Sequence, residues 1–266
     1  MNALKENLVI VIPARKNSKR LKNKNFRNFH GFPLFEWSLA AGLFLKHQLS
    51  DSRKISVICS SDDNQILDLV KKKYSSSILT VQRSPELSDD NAILSDVIVD
   101  CIYRLADECV ISLDDYLGGS FILLQPTSPI RLKNDLVNFC TQIKSLGDDL
   151  SIVSVNKGYT ELKDIYEIIN HNTAKSGFSI GHIGKKLLER QDILKNSSSA
   201  FVDGSLYLGF ISVLKEKGFM PKSKTLAFPL SVDCSIDIDT EEEFEDALLF
   251  IKKLQDLGIE YVKPRI

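Results

Sequence analysis

The chain has 266 residues and 43% hydrophobic content, enough to bury a full core as one large domain or as a domain with an appended lobe. Its 34 lysines and arginines stand against 35 aspartates and glutamates, a formal net charge of −1, which argues against a nucleic-acid partner because such a protein carries a basic domain or stripe. The cysteines Cys59, Cys101, Cys109, Cys140 and Cys234 are scattered, with no C-x-x-C and no histidine at ligand spacing, so they read as reduced structural thiols.

Taken in chain order, the first half alternates strand and helix. A strand is expected over 8–12, a helix over 34–45, a strand over 55–60, a helix over 64–73 and a short strand over 78–82. Then come a helix over 93–109, a strand over 121–125, a helix over 133–146 and a strand over 151–155. Continuous apolar runs such as LVIVI and FILLQ suit strands covered on both faces, the mark of a parallel sheet with crossover helices. The expected fold class is α/β, doubly wound and mainly parallel. Residues 156–200 are polar with weak periodicity and read as an inserted lobe or a long excursion. Order resumes with a strand over 205–210 and a closing helix over 241–257. Phe244, Ala247, Leu248 and Ile251 form the apolar stripe of that helix, and Thr240 with Glu243 makes a capping box at its start. The N-terminus lacks a signal-peptide pattern and no apolar segment approaches membrane-spanning length, so a cytoplasmic protein with no membrane partner is expected.

Three stretches carry chemistry, and ligands of open α/β sheets sit beyond the carboxyl ends of strands. The first is the loop after the opening strand, where Arg15, Lys16, Lys19, Arg20, Lys22, Lys24 and Arg27 occur with no acidic residue between them. It lacks the glycines of a P-loop or a dinucleotide fingerprint. It reads as a site for a multiply anionic ligand or as a solvated basic surface. The second is L-L-Q-P-T-S-P-I-R, 123–131, where two prolines stiffen the turn that carries Gln125 and two hydroxyls; an ordinary strand-to-helix turn has the same composition. The third is D-C-S-I-D-I-D-T, 233–240. If extended, it points Asp237 and Asp239 the same way, and a Mg²⁺ ion between them resolves their repulsion. The alternative is a solvated acidic strand end or a helix cap. Asp62 and Asp63 read as a helix cap, and Phe35 and Trp37 as core. The four histidines have no triad or metal partner at useful spacing.

The stretches IPARKNSKRLKNKNF, GFPLFEW, RSPELSDDNA, LLQPTSPIR, DGSLYL and SIDIDTEEEF occur in one order over nearly the whole chain. Together they resemble the CMP-sialic acid synthetases, the acylneuraminate or nonulosonate cytidylyltransferases. The resemblance implies a Rossmann-like fold of the nucleotide-diphospho-sugar transferase type. It implies a nucleotide-binding core over 1–155 and 206–266, with a dimerisation and sugar-binding lobe over 156–205. The implied reaction joins CTP to an acidic nine-carbon keto-sugar, giving a CMP-sugar and pyrophosphate with Mg²⁺ as cofactor, in a cytoplasmic homodimer.

By the same resemblance Arg15, Lys19, Lys24 and Asn25 grip the triphosphate and neutralise the charge growing on the leaving pyrophosphate, and Asn17 and Ser18 are nucleotide-binding. Asp237 and Asp239 match the metal pair. Arg83, Asp90, Ala92 and Leu94 match the part that reads cytosine, with Leu94 where relatives carry serine. Gln125, Lys163, Arg190, Gln191 and Tyr207 match sugar-acid positions, and Asp203 stands where many relatives have asparagine. The alternatives are a synthetase for the eight-carbon keto-acid of lipopolysaccharide, a catalytically silent nucleotide or sugar binder, and an RNA-binding module using the basic loop.

Overall fold

A computed structural model describes residues 7–16, 18, 20–50, 54–89, 91–107, 114, 118–145, 151–156, 165–170, 178–182, 199–217, 225–231 and 236–265, with backbone alone at 165–170, 178–182, 199–201 and 215–217. The strands are β1 (Asn7–Pro13), β2 (Asn28–Phe29), β3 (Phe32–Pro33), β4 (Lys54–Ser61), β5 (Leu79–Gln82), β6 (Ser120–Leu123), β7 (Ser151–Asn156), β8 (Ile165–Asn170), β9 (Phe178–His182), β10 (Ser199–Phe210) and β11 (Thr225–Pro229). The helices are α1 (Leu34–Leu49), α2 (Asn64–Tyr74), α3 (Pro85–Ser88), α4 (Leu94–Asp107), α5 (Lys133–Ser145), α6 (Ile211–Lys217) and α7 (Glu241–Asp256).

The main sheet runs β5-β4-β1-β6-β10-β7-β11-β9-β8. From β5 to β6 every pairing is parallel, and so is β7 with β11; β10 runs antiparallel to β6, β7 and β8. The chain works outward from β1 to β4 and β5, then returns to place β6 on the other side of β1. The loops leaving β1 and β6 therefore diverge, and the crevice between them is the ligand position of such a sheet.

The LVIVI run behaves as a strand covered on both faces. Leu8, Ile10 and Ile12 pack with α1, α2 and α5 on one side, while Val9 and Val11 pack with α4 and α6 on the other. This is the doubly wound arrangement expected from the sequence. Cys59, Cys101 and Cys140 are buried and in no disulfide, and burial pushes the Cys59 and Cys101 thiols up to about 12, so neither is a nucleophile. Cys109 and Cys234 lie outside the described residues.

A third cluster sits at the carboxyl edge of the sheet. Trp37 and Phe29 are fully buried there with Leu21, Leu34, Ile238 and Phe244, so Trp37 is core, and Phe35 is buried in the cluster beneath α1. α7 begins at the capping box: Glu243 N donates to Thr240 Oγ1 at 3.3 Å, and Thr240 N donates to Glu243 Oε2 at 2.7 Å. Thr240→Ala is expected to cost about 1 kcal/mol, read as a lowered midpoint in urea with unchanged slope.

Three expectations need correction. Gln125 is outside β6, which ends at Leu123; Leu124 N still donates to Val11 O at 3.0 Å, and Pro126, lacking an N–H, cannot extend the ladder. The stretch after 156 is not only an excursion: β8, β9 and the first residues of β10 join the main sheet, although none has an apolar run that competes with the first-half strands. β11 was not anticipated either; it is five residues long, ends in proline, and gains its place from pairing with β7.

Candidate active site

The loop after β1 is anchored beside β4 at its start and is braced across itself. Ala14 N donates to Ser60 O at 2.9 Å, Lys16 N donates to Asp62 Oδ1 at 2.7 Å, and Asn25 Nδ2 donates to Arg15 O at 2.7 Å. Asp63, not Asp62, caps α2 by accepting from Gln65 N at 3.0 Å. Leu21 drops into the third cluster, which leaves the charged residues around it at the surface of the crevice. Asn25 is buried and its Oδ1 has no hydrogen-bond partner, so its amide serves to brace the loop at Arg15.

Residues 236–239 form no strand; exposed Asp237 and half-buried Asp239 flank a fully buried Ile238, and of the two only Asp239 lines the cleft beyond β1 and β6. The Ile238 peptide is clamped from two directions: its N–H donates to Thr127 O at 2.8 Å, and its carbonyl accepts from Lys24 Nζ at 2.8 Å. Lys24 Nζ also donates to Asp239 Oδ1 at 2.7 Å, and Arg20 Nη2 lies 3.4 Å from Asp239 Oδ2. Burial works against Asp239 ionisation, but the hydrogen bond and charge of Lys24, with Arg20 and Arg15, hold its carboxyl below the usual range. Asp237 goes the other way. Although Asp237 is exposed, the protein crowded around its carboxyl and the charge of neighbouring Asp239 raise that carboxyl against a hydrogen bond from Thr127.

These aspartates supply oxygen donors, as Mg²⁺ requires. Among the described residues no cluster of three or more histidines, cysteines or carboxylates gathers. Two carboxylates suit an ion that keeps several waters and shares phosphate oxygens, and they are too few for an all-protein cage.

The basic loop, the turn after β6 and Asp239 meet in a cleft of about 500 Å³ at the β1/β6 switch point. Arg15, Ser18, Lys24, Asn25, Arg83, Ala92, Leu94, Gln125 and Asp239 line it, all anticipated from the sequence. Arg20, Leu87, Asp89 and Thr127 also line it and were not singled out as site residues; Arg20 was visible only as one member of the basic run. Asn17, Lys19, Asp90, Lys163, Arg190 and Gln191 lie outside the described residues.

At the α4 end of the cleft, Arg83 is buried, with Nη2 donating to Ser60 O at 2.8 Å and Nε to Ser60 Oγ at 3.2 Å. Burial pulls its pKa below the ordinary arginine value. Leu94 puts an apolar side chain on this wall, leaving hydrogen-bond recognition to its neighbours. Tyr207 is buried in β10 below the floor. A Cβ at Gly204 would stand 3.9 Å from the Tyr207 hydroxyl and 3.3 Å from Gln125 Oε1, which places both beside the β10 bend.

Asp203 is buried at that bend and accepts from Ser154 Oγ, from Ser205 N at 3.0 Å and from Ser205 Oγ at 2.9 Å. Burial raises its carboxyl despite those bonds and the charge of Arg131. A carboxyl raised in the fold contributes stability that is full below its unfolded pKa and lost as pH rises through the folded one. Melting curves from about pH 4 to 7 are expected to show Asp203→Asn gaining on the parent as pH rises above the usual carboxylate range.

A family model described as Cytidylyltransferase matches residues 9–257. The chain is 29% identical over 236 residues to the CMP-N,N'-diacetyllegionaminic acid synthase of Legionella pneumophila, covering 88% of this chain and 91% of that protein. It is 27% identical over 238 residues to the N-acylneuraminate cytidylyltransferase of Streptococcus agalactiae serotype V, covering 89% of this chain but 51% of that longer protein. In fold it is similar to a CMP:2-keto-3-deoxy-manno-octonic acid synthetase solved with CTP, at TM-score 0.61 and 14% identity over 93% of this chain and 99% of that one.

Proposed function

The chain belongs to the cytidylyltransferase family of nucleotidyltransferases, and from that premise we propose that it joins CTP to a nine-carbon nonulosonic acid, giving a CMP-sugar and pyrophosphate. The observation that carries this reading is the single cleft that brings the basic loop, Gln125 and Asp239 together at the sheet's switch point. The sugar acid's anomeric hydroxyl gives up its proton to solvent as its oxygen bonds to the α-phosphorus, the bond from that phosphorus to the bridging oxygen breaks with its electrons passing to that oxygen, and pyrophosphate departs.

Such a transfer is catalysed chiefly by positioning and charge. Arg15 and Arg20 face the crevice and neutralise the triphosphate, and Ser18 lies among them. Lys24 holds Asp239 ionised and in place, so its role is to set the carboxylate more than to grip a phosphate. Asp237 and Asp239 would hold Mg²⁺, which would supply polarisation of the reacting phosphate. Arg83, Ala92 and Leu94 form the base wall, where backbone groups read the cytosine edge beside Leu94. Gln125 stands on the sugar-acid side, next to the β10 bend. The names of the legionaminic and neuraminic relatives support a nine-carbon acceptor; a cytoplasmic homodimer is proposed from the family resemblance alone.

The test sets nine-carbon acids against the eight-carbon keto-acid in a pyrophosphate-release assay with CTP and Mg²⁺. At least about tenfold higher kcat/KM for a nine-carbon acid is expected; preference for the eight-carbon acid assigns the chain to the other synthetase class.

A further inference from the structure

Beneath the cleft, Arg131 makes an arrangement that the transfer chemistry does not itself use. It ends the turn after β6, is 3% exposed, and sends its nitrogens to three elements. Nε donates to Ser205 O of β10 at 3.0 Å, Nη1 to Ser38 Oγ of α1 at 3.1 Å, and Nη2 to Gln125 O at 3.0 Å. Ser38 Oγ donates to the same Gln125 carbonyl at 3.1 Å. That oxygen also accepts from Ser128 N within its own turn at 3.3 Å, and the guanidinium and hydroxyl tie the peptide bearing Gln125 to α1 and β10 together.

Three more contacts extend the grip. Ser128 Oγ donates to Asp203 O at 3.4 Å. Gly204 turns β10 with φ +79°, close enough that a Cβ there would meet Gln125 Oε1 and Ser128 Oγ at 3.3 Å. Thr127 O accepts from Ile238 N at 2.8 Å, between the two aspartates. A buried guanidinium served by neutral acceptors is poor value as a mere stabiliser, since an apolar residue of similar size avoids the desolvation cost. Burial indeed lowers its pKa to about 9, against the charge of Asp203. Its hydrogen bonds reach the turn after β6, α1 and β10, and among the described residues none goes to the basic loop or to the wall at 83–97.

We propose that Arg131 is a positioning residue that sets Gln125 against the β10 bend, and so governs the fit of the acceptor sugar acid while leaving nucleotide binding alone. This rests on the assignment of the cleft to CTP and a sugar acid. Loss of the guanidinium frees the Gln125 peptide from β10, and the error appears on the acceptor side.

The experiment compares the full chain with Arg131→Lys, Arg131→Gln and Ser38→Ala. In Arg131→Gln the KM for the sugar acid is expected to rise about tenfold while the KM for CTP stays within about twofold. Arg131→Lys, which keeps the charge but reaches fewer acceptors, is expected to fall between it and the parent. Parallel rises in both KM values, or loss of thermal stability with the sugar KM unchanged, overturn the proposal. If the Arg131 variants do not fold, Ser38→Ala carries the test on the same carbonyl: about a threefold rise in sugar KM alone supports the proposal, and no change overturns it. The side-chain amide signal of Gln125 in ¹⁵N spectra, assigned by its loss in Gln125→Ala, reads the positioning without turnover. It is expected to shift in Ser38→Ala and in every folded Arg131 variant, while the CTP-induced shifts at Arg83 and Ala92 persist; an unmoved Gln125 signal overturns the proposal. A parent enzyme that turns over no sugar acid defeats the functional reading instead, and leaves the amide signal to judge Arg131.

Discussion

Asp239→Ala is expected to lower kcat about 10³-fold, in the range found when a preorganised charge is removed from a reacting centre. The carboxylate is the meeting point of the site's charges, 2.7 Å from Lys24 Nζ and 3.4 Å from Arg20 Nη2. Removing it deprives the proposed Mg²⁺ of one of two protein ligands and leaves Lys24 with the Ile238 carbonyl alone. The fold is expected to survive, because the side chain is 33% exposed and the contacts that shape the segment are made by backbone: Asp239 N to Glu243 Oε2 at 2.7 Å and Ile238 N to Thr127 O. Steady-state assays with a melting curve check both halves. Activity near the parent's would remove Asp239 from the chemistry, and a collapsed melting curve would make the loss uninformative about charge.

Trp37→Ala is expected to cost about 3–5 kcal/mol, a large part of the total stability of a typical domain. The indole is fully buried; its Nε1 donates to Phe29 O at 3.0 Å, its ring meets Phe29 edge-on at 5.3 Å and stacks with Tyr261 at 5.9 Å. Alanine leaves a cavity and an unpaired carbonyl at the point where Phe29 also packs on Phe244 at 5.6 Å. Leu21 of the basic loop and Ile238 of the acidic segment share this cluster, so the loss reaches the site's footing. For a chain of this size the melting temperature is expected to fall by roughly 10 °C, with weaker CTP binding in the fraction that stays folded. An unchanged melting temperature would contradict the role of this cluster as the floor of the cleft.

The parallel half of the fold was legible because its strands are continuous apolar runs between amphipathic helices, and both signals are local. β8, β9 and β11 were not, since short mixed-polarity strands gain their identity from the partners they pair with. Placing motifs after strands pointed to the basic loop and to Gln125, while the acidic pair and the wall at 83–94 came from residue spacing and the family resemblance; Arg15, Gln125 and Asp239 lie far apart in sequence, and the switch point between β1 and β6 joins them. Their division of labour did not follow. Lys24 read as a phosphate ligand, yet its ammonium is tied to Asp239 and Ile238, a contact spanning more than two hundred residues. Arg131 stood in plain view at the end of LLQPTSPIR, and only the packing of β10 against that turn reveals what it holds.

The most direct measurement follows the α-phosphate itself. CTP labelled at that phosphorus is incubated with the full chain, Mg²⁺ and a nonulosonic acid, and the label is separated as CTP, CMP and CMP-sugar while pyrophosphate is counted. The expected result is label passing into a CMP-sugar, one pyrophosphate for each. Label that stays in CTP with every keto-sugar acid, or that emerges as free CMP, would contradict a cleft built for nucleotidyl transfer.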